Sequence, residues 1–231
     1  MISWLTILFS LSLKTGDFHP TMKEAFVSPV WKGGDRSQPS QYRPVALTSH
    51  LAKILERIVR ARVTTYLEDN NLLDPTQHGG RTGRSTLSQL LTQYDQVLHW
   101  LEGGANVDIV YLDFAKAYDK VDIWLLLNKI KDLGIQGDLG RWLANFLVGR
   151  RQAIRVGDTV SSWTPVVSGI PQGSVIGPLM FLIFIGDLGR DLSPSEALVL
   201  KYIDDTKVIK QMVDKNDVEQ PQYYLYLAGE Q

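Results

Sequence analysis

Three short segments of this sequence hold side chains that could handle phosphate and metal. Asp113 closes an apolar run within Tyr111-Leu-Asp113-Phe-Ala-Lys-Ala-Tyr118-Asp119, with a second aromatic five residues after the acid. Ser168-Gly-Ile-Pro171-Gln172-Gly173-Ser-Val-Ile-Gly177-Pro178 is a Gly/Pro loop leading into an apolar segment. Such a loop lets backbone approach a ligand, and a helix N-terminus favours phosphate. Tyr202-Ile-Asp204-Asp205 sets two acids between apolar runs. Phosphoryl transfer with two divalent metals needs carboxylates that converge from separate strands on ions about 3.5–4 Å apart. Magnesium keeps several waters and takes few protein oxygens, so two or three aspartates suffice. Singly, each segment has a plainer reading: Asp-Asp between strands is a hairpin turn, an Asp after a strand is a helix cap, a Gly/Pro loop is only a loop. It is their order that singles out the chemistry.

The elements that must position these residues follow from periodicity. Ala25–Trp31 and Arg43–Leu47 predict a hairpin across the Gly33-Gly34-Asp35 turn and a polar loop at 36–41. Leu51, Ile54, Leu55, Ile58, Val59, Val63 and Leu67 predict one helix stripe, with Ser49 as N-cap and Asn70-Asn71 as stop. Leu87, Leu90, Leu91, Tyr94, Leu98 and Leu101 predict a second stripe ended by Gly103-Gly104. A strand at Val107–Asp113, helices at Ile123–Leu133 and Leu139–Leu147, strands at Gln152–Val156 and Thr164–Val167, a buried helix at Pro178–Leu188 and a hairpin of Leu198–Ile203 with Thr206–Ile209 complete an α+β pattern. Trp4, Ile7, Leu8 and Leu11 predict a docked amphipathic helix, not a signal peptide: no basic segment precedes them and no small-residue cleavage site follows.

Hydrophobic residues at 44% and charged residues at 21% describe a folded chain, not a disordered one. No run is long enough to span a bilayer, so no membrane partner is expected. Absence of cysteine excludes disulfides and cysteine-ligated zinc and points to an intracellular setting, nucleus and cytoplasm not being distinguished. His19, His50, His78 and His99 lack ligand spacing. The net charge of −1 conceals a gradient: 11 Lys and Arg against 7 Asp and Glu before residue 85, then 13 against 18. A basic front half suits a polyanion and an acidic back half suits cations or metal-bound phosphates.

Over nearly its whole length the sequence resembles the reverse transcriptase of non-LTR retrotransposons, in particular the jockey-like lineage. The resemblance is carried by Lys32-Gly-Gly-Asp35, Tyr42-Arg-Pro-Val-Ala-Leu47, Lys53-Ile-Leu-Glu56, Gln77-His-Gly-Gly-Arg-Thr-Gly-Arg-Ser-Thr86, Tyr111–Val121, Ser168–Pro178 and Tyr202–Lys207, in the family's order. It implies a right-hand polymerase fold, with fingers at 1–105 and 123–162, palm at 106–122 and 163–215, and a tail at 216–231. It implies an RNA-directed DNA polymerase acting on RNA template, DNA primer and deoxynucleoside triphosphate, with two Mg²⁺ ions or Mn²⁺ in their place. Asp113, Asp204 and Asp205 match the catalytic, metal-binding aspartates. Tyr118 matches the aromatic that excludes a 2′-hydroxyl, and Phe114, Gln172 and Gly173 match the nucleotide pocket. Lys32 and Arg43 resemble residues that neutralise the triphosphate, and Arg81 and Arg84 resemble contacts to nucleic-acid phosphates.

Four positions depart from the family: Gly80 for Phe, Ile203 for Ala, Gly186 for Asn, and Pro221 in an expected helix. The motif and thumb that follow the catalytic hairpin in the family are not in the sequence, nor is an endonuclease region, so the expectation is a fragment that extends primers poorly. Two other readings stay open: a relic that keeps the fold and at most binds nucleic acid, and a cellular nucleic-acid-binding module using the fold as a scaffold. Oligomeric state is not legible.

Overall fold

In the computed structural model, residues 2–190, 192 and 197–212 are described. Helices run α1 (Ile2–Thr15), α2 (His50–Asp69), α3 (Thr86–Glu102), α4 (Ile123–Asp132), α5 (Gly137–Leu147) and α6 (Gly177–Phe184). Strands run β1 (Glu24–Trp31), β2 (Tyr42–Leu47), β3 (Asn106–Leu112), β4 (Arg151–Val156), β5 (Thr159–Val160), β6 (Thr164–Pro165), β7 (Ala197–Tyr202) and β8 (Asp205–Met212). The chain forms two compact units, Met1–Leu72 with Tyr118–Phe184, and Leu73–Ala117 with Ile185–Gln231. The expected α+β class and both hairpins are observed. The tail at 216–231 and Pro221 lie outside the described residues.

The first unit holds a sheet of order β2-β1-β4-β5, with β6 also on β4. β1 pairs antiparallel with β2 and parallel with β4. Its core gathers Leu55, Val63, Leu67, Leu126, Ile130, Trp142, Phe146 and Met180 from four helices, all essentially inaccessible to solvent. Phe18 meets Trp142 and Phe146 edge to face, and Trp142 donates its indole N–H to Ser12 Oγ at 3.0 Å, tying α1 to α5. α6 is apolar all round and buried along most of its length, as an interior helix must be.

The second unit is a three-stranded antiparallel sheet of order β3-β8-β7, with α3 packed on it. Trp100 is buried with Leu200 and Ile209, and Val97 packs against them.

On α1 and α3 the buried face is not the one apolar periodicity predicts, and on α2 it keeps Leu55, Val59, Val63 and Leu67 of the predicted stripe and loses its edge. On α1, Phe9 is buried while Trp4, Ile7, Leu8 and Leu11 are exposed. On α2 the buried row is Ala52, Leu55, Glu56, Val59, Val63 and Leu67, leaving Leu51, Ile54 and Ile58 outside. On α3 all six predicted stripe residues are exposed; Gln89 and Trp100 are buried, and Gln93 accepts a hydrogen bond from Lys207. Periodicity reports that a face is apolar, not which neighbour the fold supplies for it. At Ser49 no side-chain cap bond forms, whereas Ser85 and Ser88 make a reciprocal capping box at the start of α3.

Candidate functional site

The acids of the second unit are placed by strand register. Leu112 pairs with Thr206 and Tyr202 pairs with Asp205. Extending the first ladder by one residue sets position 113 across from position 205, with Ile203 and Asp204 forming the two-residue turn between β7 and β8. Backbone alone thus brings Asp113, Asp204 and Asp205 to one end of one sheet. Asp113 and Asp205 are exposed and Asp204 is half-buried. Phe114, the next residue after Asp113, is half-buried. Among the described residues no group of three or more His, Cys, Asp or Glu side chains stands as a ready metal site. The donor set is nevertheless oxygen only, which suits a hard divalent cation that completes its shell with water and substrate phosphate.

β7 is anchored from below by a buried ion pair. Lys201, with no solvent exposure, meets Asp74 and also donates to the carbonyls of Ile185 (3.2 Å) and Gly186 (3.3 Å). Burial lowers the Lys201 pKa, with Asp74 opposing. For Asp74, burial pushes upward, but the Lys201 ammonium and the Thr76 N–H and hydroxyl outweigh it and hold the carboxyl below its ordinary value. Arg81 donates to the Asp74 carbonyl at 2.7 Å and Arg84 to that of Pro75 at 2.6 Å. Both guanidiniums therefore brace the 74–79 segment. Gly80 has φ of 71°, a left-handed conformation that glycine takes without strain and that would cost a phenylalanine.

The first unit carries the remaining candidates. The 168–176 segment is threaded between β2 and the 118–121 turn. Ile170 N–H donates to the Tyr118 carbonyl (2.8 Å), Gly169 N–H to that of Val121 (2.9 Å), and Ala46 N–H to that of Gln172 (2.7 Å). At Gly173, φ is 121° and an added Cβ would stand 2.4 Å from the Ala46 oxygen, so only glycine fits. Gln172 donates its side-chain N–H to Asp119 at 2.8 Å. The Tyr118 ring stacks on Phe181, centroids 4.7 Å apart. Arg43 and Lys32 are exposed, on β2 and just after β1.

Glu56, named above only within its motif, ties this loop down. It shows no solvent exposure, and one carboxylate oxygen accepts N–H from Val175 (2.6 Å) and Ile176 (3.1 Å), just before α6. The other oxygen makes no hydrogen bond. Burial raises the Glu56 pKa, against the two N–H groups and the positive charges of Arg150 and Lys53. Arg150 is itself buried and pulled down to about 10, Glu56 opposing. A glutamate in the i, i+4 row of Ala52 was the available sequence signal.

Residues 30–220 match a family described as "Reverse transcriptase (RNA-dependent DNA polymerase)". The chain is 29% identical over 214 residues to the "Probable RNA-directed DNA polymerase from transposon BS" of Drosophila melanogaster, covering 90% of this chain and 24% of the relative. It is 30% identical over 214 residues to the "RNA-directed DNA polymerase from mobile element jockey" of Drosophila funebris, covering 89% and 23%. The chain therefore spans about a quarter of the length of these relatives. Apo telomerase from Candida tropicalis superposes with a TM-score of 0.65 at 9% identity, over 97% of this chain and 46% of that one, a likeness of fold.

Proposed function

The chain belongs to the reverse transcriptase family, and on that premise we propose that it carries metal-binding and nucleotide-selecting residues of an RNA-directed DNA polymerase of the non-LTR retrotransposon kind. The reaction is addition of a deoxynucleotide to a primer 3′ end, directed by an RNA template, with release of pyrophosphate. The observation that carries the reading is the register that sets Asp113 opposite Asp205 beside the Asp204 turn.

Asp113 and Asp204 are the principal metal ligands in this reading, with Asp205 beside them. Two Mg²⁺ ions, or Mn²⁺ in their place, would when bound activate the primer hydroxyl and neutralise the triphosphate. The protein's own part is to hold the acids at one sheet end and to fix the loop bearing Gln172 and Gly173. Tyr118 selects the sugar, with Phe114 in the nucleotide pocket, Lys32 and Arg43 serve the triphosphate, and Arg81 and Arg84 serve strand phosphates, a salt-sensitive and sequence-independent hold. Fingers at 1–105 and 123–162 and palm at 106–122 and 163–215 remain the proposed labels. No described helix is long and apolar enough to cross a membrane.

The test is single-nucleotide incorporation on a poly-A template with Mg²⁺. Asp113→Asn and Asp204→Asn should each lower the rate at least about hundredfold. Incorporation unchanged in either variant would contradict the assignment.

A further inference from the structure

The turn that carries Asp204 is in a conformation its own sequence disfavours. Ile203 has φ of 59°, at the first position of a two-residue hairpin loop. Positive φ at that position alone is the pattern of a type II′ turn, where glycine is the usual residue. A β-branched side chain there is a steric outlier, and such outliers persist only where the surroundings over-determine them.

One side chain supplies that determination. Gln77 is 2% exposed. Its Oε1 accepts the N–H of Ile203 and the N–H of Gly79, each at 2.9 Å, and its Nε2 donates to the Ile203 carbonyl at 3.4 Å. Both peptide groups flanking the strained Cα are thereby held by one amide. The amide is itself seated on β7: Lys201 N–H donates to the Thr76 carbonyl (3.0 Å) and His78 N–H to the Lys201 carbonyl (2.8 Å), a parallel bridge that pairs Gln77 with Lys201. Gly79 permits the close approach, since an added Cβ would stand 2.6 Å from the Ile203 nitrogen and 2.9 Å from the Tyr202 carbonyl carbon. The buried Lys201–Asp74 pair fixes the other end of the strap.

We infer that Gln77 is a positioning residue: it clamps the Ile203–Asp204 turn in its strained shape and so fixes where the Asp204 carboxylate stands. The inference rests on the polymerase reading for its functional consequence, though not for the clamp itself. An amide suits the task because it accepts two bonds and donates one. If Ile203 relaxed to negative φ, the chain direction would change at the very next residue, which is Asp204.

The experiment uses Gln77→Met, which fills the same volume without these hydrogen bonds, in the 231-residue chain and again in an Ile203→Gly background. Amide exchange at Ile203 and Gly79 should accelerate at least about tenfold in Gln77→Met, while β3 and β8 keep their protection. Single-nucleotide incorporation should fall at least about tenfold with Ile203 present, and less than about threefold with glycine at 203, where positive φ carries no strain. Unaltered exchange at Ile203 and Gly79, loss of protection across the whole sheet, or equal activity losses in both backgrounds would overturn the clamp. A wild-type chain that neither incorporates a nucleotide nor retains a primer–template duplex would defeat the polymerase reading, and amide exchange would still decide the clamp.

Discussion

The loop at 168–176 in the first unit and the turn at 203–204 in the second meet the same problem with opposite chemistry. Each is irregular, each has backbone so close to its neighbour that a Cβ is excluded, at Gly173 and Gly79, and each is gripped by one buried polar side chain on another element. The first is held by a carboxylate, Glu56, whose second oxygen has no hydrogen-bond partner and whose pKa burial raises. The second is held by a neutral amide, Gln77, with the charge moved one step away into the Lys201–Asp74 pair. A buried carboxylate makes strong charge-assisted bonds but pays for desolvation; an amide titrates nowhere. The comparison teaches that the 168–176 loop should respond to pH at its anchor, whereas the acid-bearing turn should respond only through the strap beneath it.

Glu56→Ala should give the largest effect, since it strands two N–H groups, one of them buried, and removes the negative charge that offsets the burial of Arg150. Destabilisation of about 3 kcal/mol is expected, read as a lower urea midpoint. Glu56→Gln keeps an acceptor and should cost about 1 kcal/mol or less. The linkage has a definite sign. A raised carboxyl pKa means the folded state binds the proton more tightly, so wild type loses stability as pH rises from about 4 through the folded value, and the Gln variant should not. An identical pH slope in both proteins would break this side of the comparison.

Tyr118→Ala should reduce discrimination against ribonucleotides by about tenfold, whereas Tyr118→Phe, which keeps the ring stacked on Phe181, should preserve it. Unchanged sugar preference in the Ala variant would make Tyr118 a packing residue.

A similarly small effect belongs to Asp74→Asn, about 1 kcal/mol near neutral pH once the weakened but still polar contact is counted. Asp74 is depressed, so its contribution is present above about pH 4 and disappears as pH falls through the folded value. Equilibrium unfolding of the variant should therefore show a flatter acid limb than wild type. Acid would weaken the second unit's strap while relieving the first unit's carboxylate.

Much of this fold was legible because local pattern and tertiary need agree. The strand ending before Asp113, the hairpin about Asp204-Asp205 and the apolar helix after the Pro-Gln-Gly loop all stand within a few residues of their expected bounds. The candidate acids stood out by the order of their motifs, and the observed register brings them to one end of one sheet. Helix faces were less so: Leu87, Leu91 and Leu98 repeat like a core stripe yet are exposed, since the sheet takes up Trp100 and Val97 instead. The anchors were least legible. Glu56 meets Val175 across 119 residues and Gln77 meets Ile203 across 126, and no local periodicity records a bond of that span. Even Ile203, a plain apolar replacement in the motif, gave no sign that its backbone would be left-handed.

The central claim is that the two held segments serve two separate tasks, so the most direct measurement is pre-steady-state incorporation of one deoxynucleotide across a range of triphosphate concentrations, comparing Gly173→Ala in the loop with Gln77→Met at the turn. Gly173→Ala, which pushes the loop off Ala46, should weaken apparent triphosphate affinity at least about tenfold with a smaller change in maximal rate. Gln77→Met should lower the maximal rate with affinity nearly unchanged, the mark of an interaction that matters at the transition state. Both variants changing the same constant in the same proportion would contradict the account.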